Sequence, residues 1–220
     1  MNRATVREIV AGAAGAVEVA LDRPAGAPRG LALVAHPHPL HGGTLDNKVA
    51  QTLARAWVQL GFIALRPNFR GVGASAGSFD DGRGETDDMQ QVLAHYRHAL
   101  RGELGDAPQL ALAGFSFGAF VAASVAQRLQ AAGEPARHLS LVGPAVARFP
   151  FPALRAPQPL AARMLVVHGE RDEVVPLAAV LDWARPQQQP VLLAPGAGHF
   201  FHGMLTPLKD WVCTWHGDAS

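Results

Sequence analysis

Short apolar runs alternate along the chain with longer stretches whose apolar residues recur at helical spacing. AVEVALD (16–22) and GLALVAH (30–36) read as strands joined by the Pro/Gly turn RPAGAP. From Asn47, the positions Val49, Leu53, Trp57 and Leu60 mark one stripe of a helix that stops at Gly61. FIALRPNF (62–69) is the next strand. A helix from about Glu85 carries Met89, Val92, Leu93, Tyr96 and Leu100 on one face, with Gly102 just beyond its end. QLALAGF (109–115), HLSLVGP (138–144), RMLVVHG (163–169) and PVLLAPG (190–196) are further strands. Their near-continuous apolar character suits a parallel sheet covered on both faces. A helix over Leu177–Ala184 follows, and a last one takes Thr206 as N-cap and Pro207 as its first residue. This alternation predicts a doubly wound, mostly parallel α/β sheet. In such sheets ligands bind beyond the carboxyl ends of the strands.

At 220 residues the pattern predicts one domain, 1–220, able to bury a proper core. Lys plus Arg number 19 against 18 for Asp plus Glu, so no field favours nucleic acid or an anionic membrane. The lone Cys213 cannot close an intrachain disulfide. The first residues mix charged and apolar positions without the apolar core of a signal peptide, and no stretch approaches the roughly 20 apolar residues of a spanning helix. The expectation is a cytoplasmic protein whose partners include neither nucleic acid nor membrane.

Two segments match Gly-x-Ser-x-Gly, the spacing of a serine nucleophile held on a sharp turn: Gly73–Gly77 around Ser75 and Gly114–Gly118 around Ser116. Such a turn needs a strand entering and a helix leaving. Ser75 is followed by GSFDDGRG, which cannot start a helix, and reads as a loop residue. Ser116 is entered by QLALAG and left by a helix with Phe117, Phe120, Val121, Val125 and Leu129 on one stripe. Ser116 is therefore the candidate nucleophile. A hydroxyl needs a base to take its proton and an acid to orient that base. HGERDEVVP, after the 163–169 strand, offers Glu170, Asp172 and Glu173, while APGAGHFFHG offers His199 and His202. Asp172 and His199 are the chosen pair, with Glu170 and His202 as substitutes.

GFSFGA, HGERDEVVP and GAGHFF are similar to the nucleophile, acid and histidine segments of the α/β-hydrolase superfamily, and the resemblance spans about residues 30–215. PNFRGVGASAG resembles that superfamily's loop after its fourth strand, which accounts for the glycines around Ser75; Asn68 stands where an Asp is common. HPHPLHGGTLDNKV (36–49) resembles a small bacterial subgroup of lidless hydrolases. The resemblance implies an α/β-hydrolase sheet without a cap domain, since only AVARFPFPALRAPQPLAA lies where lids usually enter. It also implies two backbone N–H groups facing the developing oxyanion, one of them from Phe117. The second belongs to the loop AHPHPLHGG, where Pro37 and Pro39 have no N–H and His38 and Leu40 remain. Likeness to the usual His-Gly-x loop favours His38.

His36, His38 and His41 invite a metal reading, but the spacing lacks the Asp expected beside the third histidine, and no metal or other cofactor is expected. An open, shallow pocket follows, lined by Phe149 and Phe151, with Arg70 and His41 as candidate specificity residues. The function expected is hydrolysis of a small carboxylic ester, or of a thioester or amide, through an acyl-enzyme. A non-catalytic scaffold on the same fold and an acyltransferase are the alternatives.

Overall fold

The computed structural model describes residues 5–154 and 160–217. Its strands are β1 (Val6–Gly12), β2 (Gly15–Asp22), β3 (Gly30–Ala35), β4 (Phe62–Pro67), β5 (Gln109–Phe115), β6 (His138–Val142), β7 (Arg163–Gly169) and β8 (Leu192–Ala194). The helices are α1 (Lys48–Gln59), α2 (Arg83–Ala99), α3 (Arg101–Leu104), α4 (Phe117–Ala131), α5 (Leu177–Ala184) and α6 (Leu205–His216). The strands form one sheet in the order β1-β2-β4-β3-β5-β6-β7-β8. Pairing is parallel from β4 to β8, while β1 and β2 run antiparallel at one side.

Each central strand feeds two cores by simple alternation. Leu31, Leu33 and Ala35 of β3 join the core under α2 and α4, whereas Ala32 and Val34 join that under α1 and α6. The chain passes from β3 to β4 on one side and then to β5 on the other, so winding reverses between β3 and β5. Crevices beyond the strand ends open at such a reversal. The loops after β3 and β5, which carry His38 and Ser116, leave the sheet there.

The sequence reading agrees with this architecture in β2 to β8 and differs at three places. Strand β1 is additional, held to β2 by a register running from Val6↔Leu21 to Gly12↔Gly15. Helix α2 is followed at once by α3, which takes in Gly102, expected just beyond the helix end. Helix α6 starts at Leu205 with Met204 as its N-cap, and Thr206 is its second residue rather than the cap. The turn Phe201–Met204 decides this: Met204 N–H bonds the Phe201 carbonyl, and Leu208 N–H already reaches Met204 at 2.9 Å. Pro207, as third helical residue, loses nothing, since the first N–H groups of a helix have no intrahelical acceptor. Among the described residues between β6 and β7 there is no helix; 155–159 lie outside the description. No helix among the described residues is long and apolar enough to cross a membrane.

Candidate active site

Ser116 lies between β5 and α4 with φ 57° and ψ −116°, a backbone conformation that side-chain-bearing residues rarely adopt. The turn closes that tightly because glycine flanks it. A Cβ on Gly114 would lie 2.1 Å from the Gly118 carbonyl oxygen.

The hydroxyl of Ser116 faces His199, with Oγ 3.0 Å from Nε2. His199 Nδ1 is 2.7 Å from Asp172 Oδ2. A carboxylate accepts, so Nδ1 carries the ring proton and Nε2 presents its lone pair to the serine. The other carboxylate oxygen, Oδ1, accepts the N–H groups of Val174 (2.9 Å) and Val175 (2.7 Å). All three side chains are buried. Burial pushes the Asp172 carboxyl up, but hydrogen bonds from His199 and Val175 and the nearby histidines outweigh it, holding the group below the usual aspartate value. Phe115 and Phe200 pack on the His199 ring, at 4.8 and 5.1 Å between centroids.

The loop after β3 is fixed by His36. Its Nδ1 donates to the Pro37 carbonyl at 2.7 Å and its Nε2 accepts the Phe69 N–H at 3.0 Å. Burial lowers this imidazole to about 4, against the pull of the Pro37 carbonyl, so the ring is a neutral strut. Within the loop, Leu40 N–H bonds His38 Nδ1, His41 and Gly43 N–H bond the His38 carbonyl, and Gly42 N–H bonds Pro39. The N–H of His38 takes no acceptor among the described residues. Phe117 N–H, in the first turn of α4, has no intrahelical acceptor either. A cleft of about 150 Å³ exposes Ser116 and His199 between Pro37, His38, His41, Gly43 and Asn47 on one side and Val174 and Phe200 on the other.

The other residues singled out in the sequence fall elsewhere. Ser75 is buried in a loop, where its Oγ accepts the Glu18 N–H at 3.0 Å and donates to the Asn68 carbonyl at 2.9 Å. His202 is exposed, and the exposed Glu170 accepts the Gly196 N–H; neither joins the Ser116 series. His41 lines the cleft as expected. Arg70 does not: its guanidinium is held by Asp88 at 2.8 Å and by the Gly84 carbonyl. Phe149 and Phe151 are not among its lining residues: their rings pack on Phe117, Phe120 and Trp183, and Phe149 also stands 5.9 Å from the ring of His38, which does line it. The histidines 36, 38 and 41 do not converge: His36 is spent on Pro37 and Phe69, while His38 stacks on His41 at 4.4 Å. The sequence reading missed the buried His168, whose Nε2 is 3.6 Å from Asp172 Oδ2. Its position in an apolar strand run carries no signal of that contact.

The model of the Thioesterase domain family matches residues 64–186. An uncharacterized protein of Rickettsia prowazekii, RP471, is 34% identical over 181 residues, covering 78% of this chain and 71% of the relative. The structure of an α/β serine hydrolase homologue from Coxiella burnetii superposes with a TM-score of 0.84 at 38% identity, over 95% of this chain and 96% of that one. XC6422 from Xanthomonas campestris, an α/β serine hydrolase without a lid, superposes with a TM-score of 0.85 at 35% identity, over 100% and 98% of the two chains. By these likenesses and by its sheet, the chain belongs to the α/β-hydrolase superfamily and is a hydrolase.

Proposed function

We propose that this hydrolase is a serine esterase that cleaves small carboxylic esters through Ser116, His199 and Asp172. The observation carrying the reading is the hydrogen-bonded series Ser116 Oγ–His199–Asp172, at 3.0 and 2.7 Å, on a serine with positive φ between strand and helix. In this mechanism Ser116 Oγ attacks the acyl carbon as His199 Nε2 takes its proton. Asp172 holds the Nδ1–H tautomer and supports the imidazolium. The N–H groups of His38 and Phe117 meet the negative charge growing on the carbonyl oxygen. His199 returns the proton to the leaving alkoxide, and the acyl-enzyme is then hydrolysed by water that His199 deprotonates.

The size of the cleft favours short acyl groups. Its volume of about 150 Å³ is below the roughly 300–1,000 Å³ of pockets that enclose drug-sized ligands. The Thioesterase family match favours a second reading, a thioester substrate, which the same series of groups would cleave with a thiolate leaving.

A fluorophosphonate probe tests the chemistry, and p-nitrophenyl esters of increasing chain length with matched thioesters test the substrate. Labelling of Ser116 and a short-chain preference are expected. Folded protein that takes no label would return the chain to the scaffold alternative, and a long-chain optimum would sink the small-cleft argument. Acyl transfer to added alcohols in preference to water would favour the acyltransferase alternative.

A further inference from the structure

His168 lies next to the last residue of β7, four residues before Asp172, and its ring is wholly buried. Its Nε2 is 2.9 Å from the Val175 carbonyl oxygen, while Nδ1 has no partner among the described residues. A carbonyl only accepts, so Nε2 carries the proton. Burying an imidazole desolvates two ring nitrogens and here recovers one hydrogen bond, a cost that a leucine of similar size would not incur. The single bond is what the ring contributes.

Val175 is the point at which that bond matters. Its N–H donates to Asp172 Oδ1 at 2.7 Å, and its carbonyl accepts from His168. In the turn from 170 to 176, only Asp172 and Val175 are buried; the other five residues are exposed. The start of the turn is held by backbone bonds, Glu170 N–H to Ala194 at 3.0 Å and Arg171 N–H to Ala197 at 2.9 Å, whereas its far half is held at Val175, which His168 grips while standing 3.6 Å behind the Asp172 oxygen that faces His199. We propose that His168 is a positioning residue, clamping the acid turn to β7 through Val175 so that Asp172 Oδ2 stays aimed at His199 Nδ1. This rests on the reading of Ser116, His199 and Asp172 given above. The ionisable groups that face the ring are Asp172 and His199. Burial holds His168 below its ordinary value against the pull of Asp172, so the ring stays neutral and leaves the carboxylate to His199.

The test compares H168L, which keeps volume but removes the donor, with H168Q, whose amide nitrogen reaches nearly as far as imidazole Nε2. With p-nitrophenyl acetate, H168L should lower kcat by up to about a hundredfold, the scale of a small misplacement of a reacting group. KM should change little, the acid limb of kcat against pH should move, and H168Q should recover most of kcat and the wild-type profile. The proton resonance of His199 Nδ1–H, read without turnover, should shift in H168L and return in H168Q. The clamp is overturned if H168L keeps the wild-type profile and resonance, or if H168Q is as impaired as H168L. Should H168L fail to fold, H168Q decides alone: a wild-type profile and resonance support the clamp, and displaced ones overturn it. If the wild type hydrolyses no ester yet the resonance shifts in H168L, the esterase reading falls and the clamp stands.

Discussion

A Cβ on Gly118 would lie 2.3 Å from the carbonyl oxygen of Ala35, so helix α4 meets strand β3 backbone to backbone. The neighbour is main chain in the middle of the sheet and cannot swing aside. Gly118→Ala should therefore push α4 outward and carry Ser116 and the Phe117 N–H with it. Overpacking of a core typically costs about 1–3 kcal/mol, and this site belongs at the upper end. The denaturant midpoint and the rate of fluorophosphonate labelling should both fall. A variant as stable and as reactive as the wild type would mean that the contact is not what sets the turn.

The two serines separate chemistry from structure. Ser116→Ala should reduce esterase turnover by several orders of magnitude with little loss of stability, as expected for removal of a nucleophile. Ser75→Ala should do the reverse. It leaves the Glu18 N–H and the Asn68 carbonyl without their partner, at about 1–3 kcal/mol for each buried group left unsatisfied, and keeps most turnover per folded molecule. An inactive but folded Ser75→Ala protein would contradict the assignment of both serines.

How much of this was readable in the sequence depends on how local the determining contacts are. The strands from β3 to β7 are covered on both faces, so their apolar runs are unmistakable. The turn at Ser116 is written within a dozen residues of strand, glycine and helix. Strand β1 was not legible because VREIVAG buries only Val10, while Val6 and Ile9 are exposed. Its hairpin also turns at Ala13–Ala14 without the Asn-Gly or Asp-Gly signal that usually marks such a turn. The Thr206 cap signal is local and was overridden by the turn at Phe201–Met204. The places of Phe149 and Phe151 were not legible for a related reason: that they pack on Phe117, Phe120 and Trp183, with Phe149 also beside His38, depends on contacts across the fold.

Two buried histidines, His36 and His216, make stability fall toward acid pH. Burial lowers His36 to about 4, and burial with the neighbouring His138 and Arg163 lowers His216 to about 3, both from 6.5. A lowered value means that the unfolded chain takes the proton first. The stability from these two groups is therefore complete above about pH 6.5 and is lost progressively as pH falls toward about 4 and about 3. Each group removes at most about 1.4 kcal/mol per pH unit within its window. His216→Leu should flatten the dependence of the denaturant midpoint on pH between about 6 and 4. An unchanged slope would show that His216 is not a source of the acid sensitivity.

His38 acts, in the proposed mechanism, through its backbone and not its ring. Of the two residues left as possible donors once Pro37 and Pro39 are set aside, Leu40 already gives its N–H to His38 Nδ1 at 3.2 Å, whereas the His38 N–H has no acceptor among the described residues. His38→Ala keeps that N–H and should retain a large part of turnover, although it loses the stacking on His41 and frees the Leu40 N–H. Replacing the amide at position 38 by an ester removes the N–H with little change of shape, and should lower turnover by about a hundred- to a thousandfold, the usual loss for one oxyanion donor. An ester variant with intact turnover would move the donor elsewhere, with Leu40 the next to test. If His38→Ala alone abolished turnover in a folded protein, the imidazole would have a chemical role, and its stacking partner His41 at the mouth of the cleft would be the first residue to examine with it.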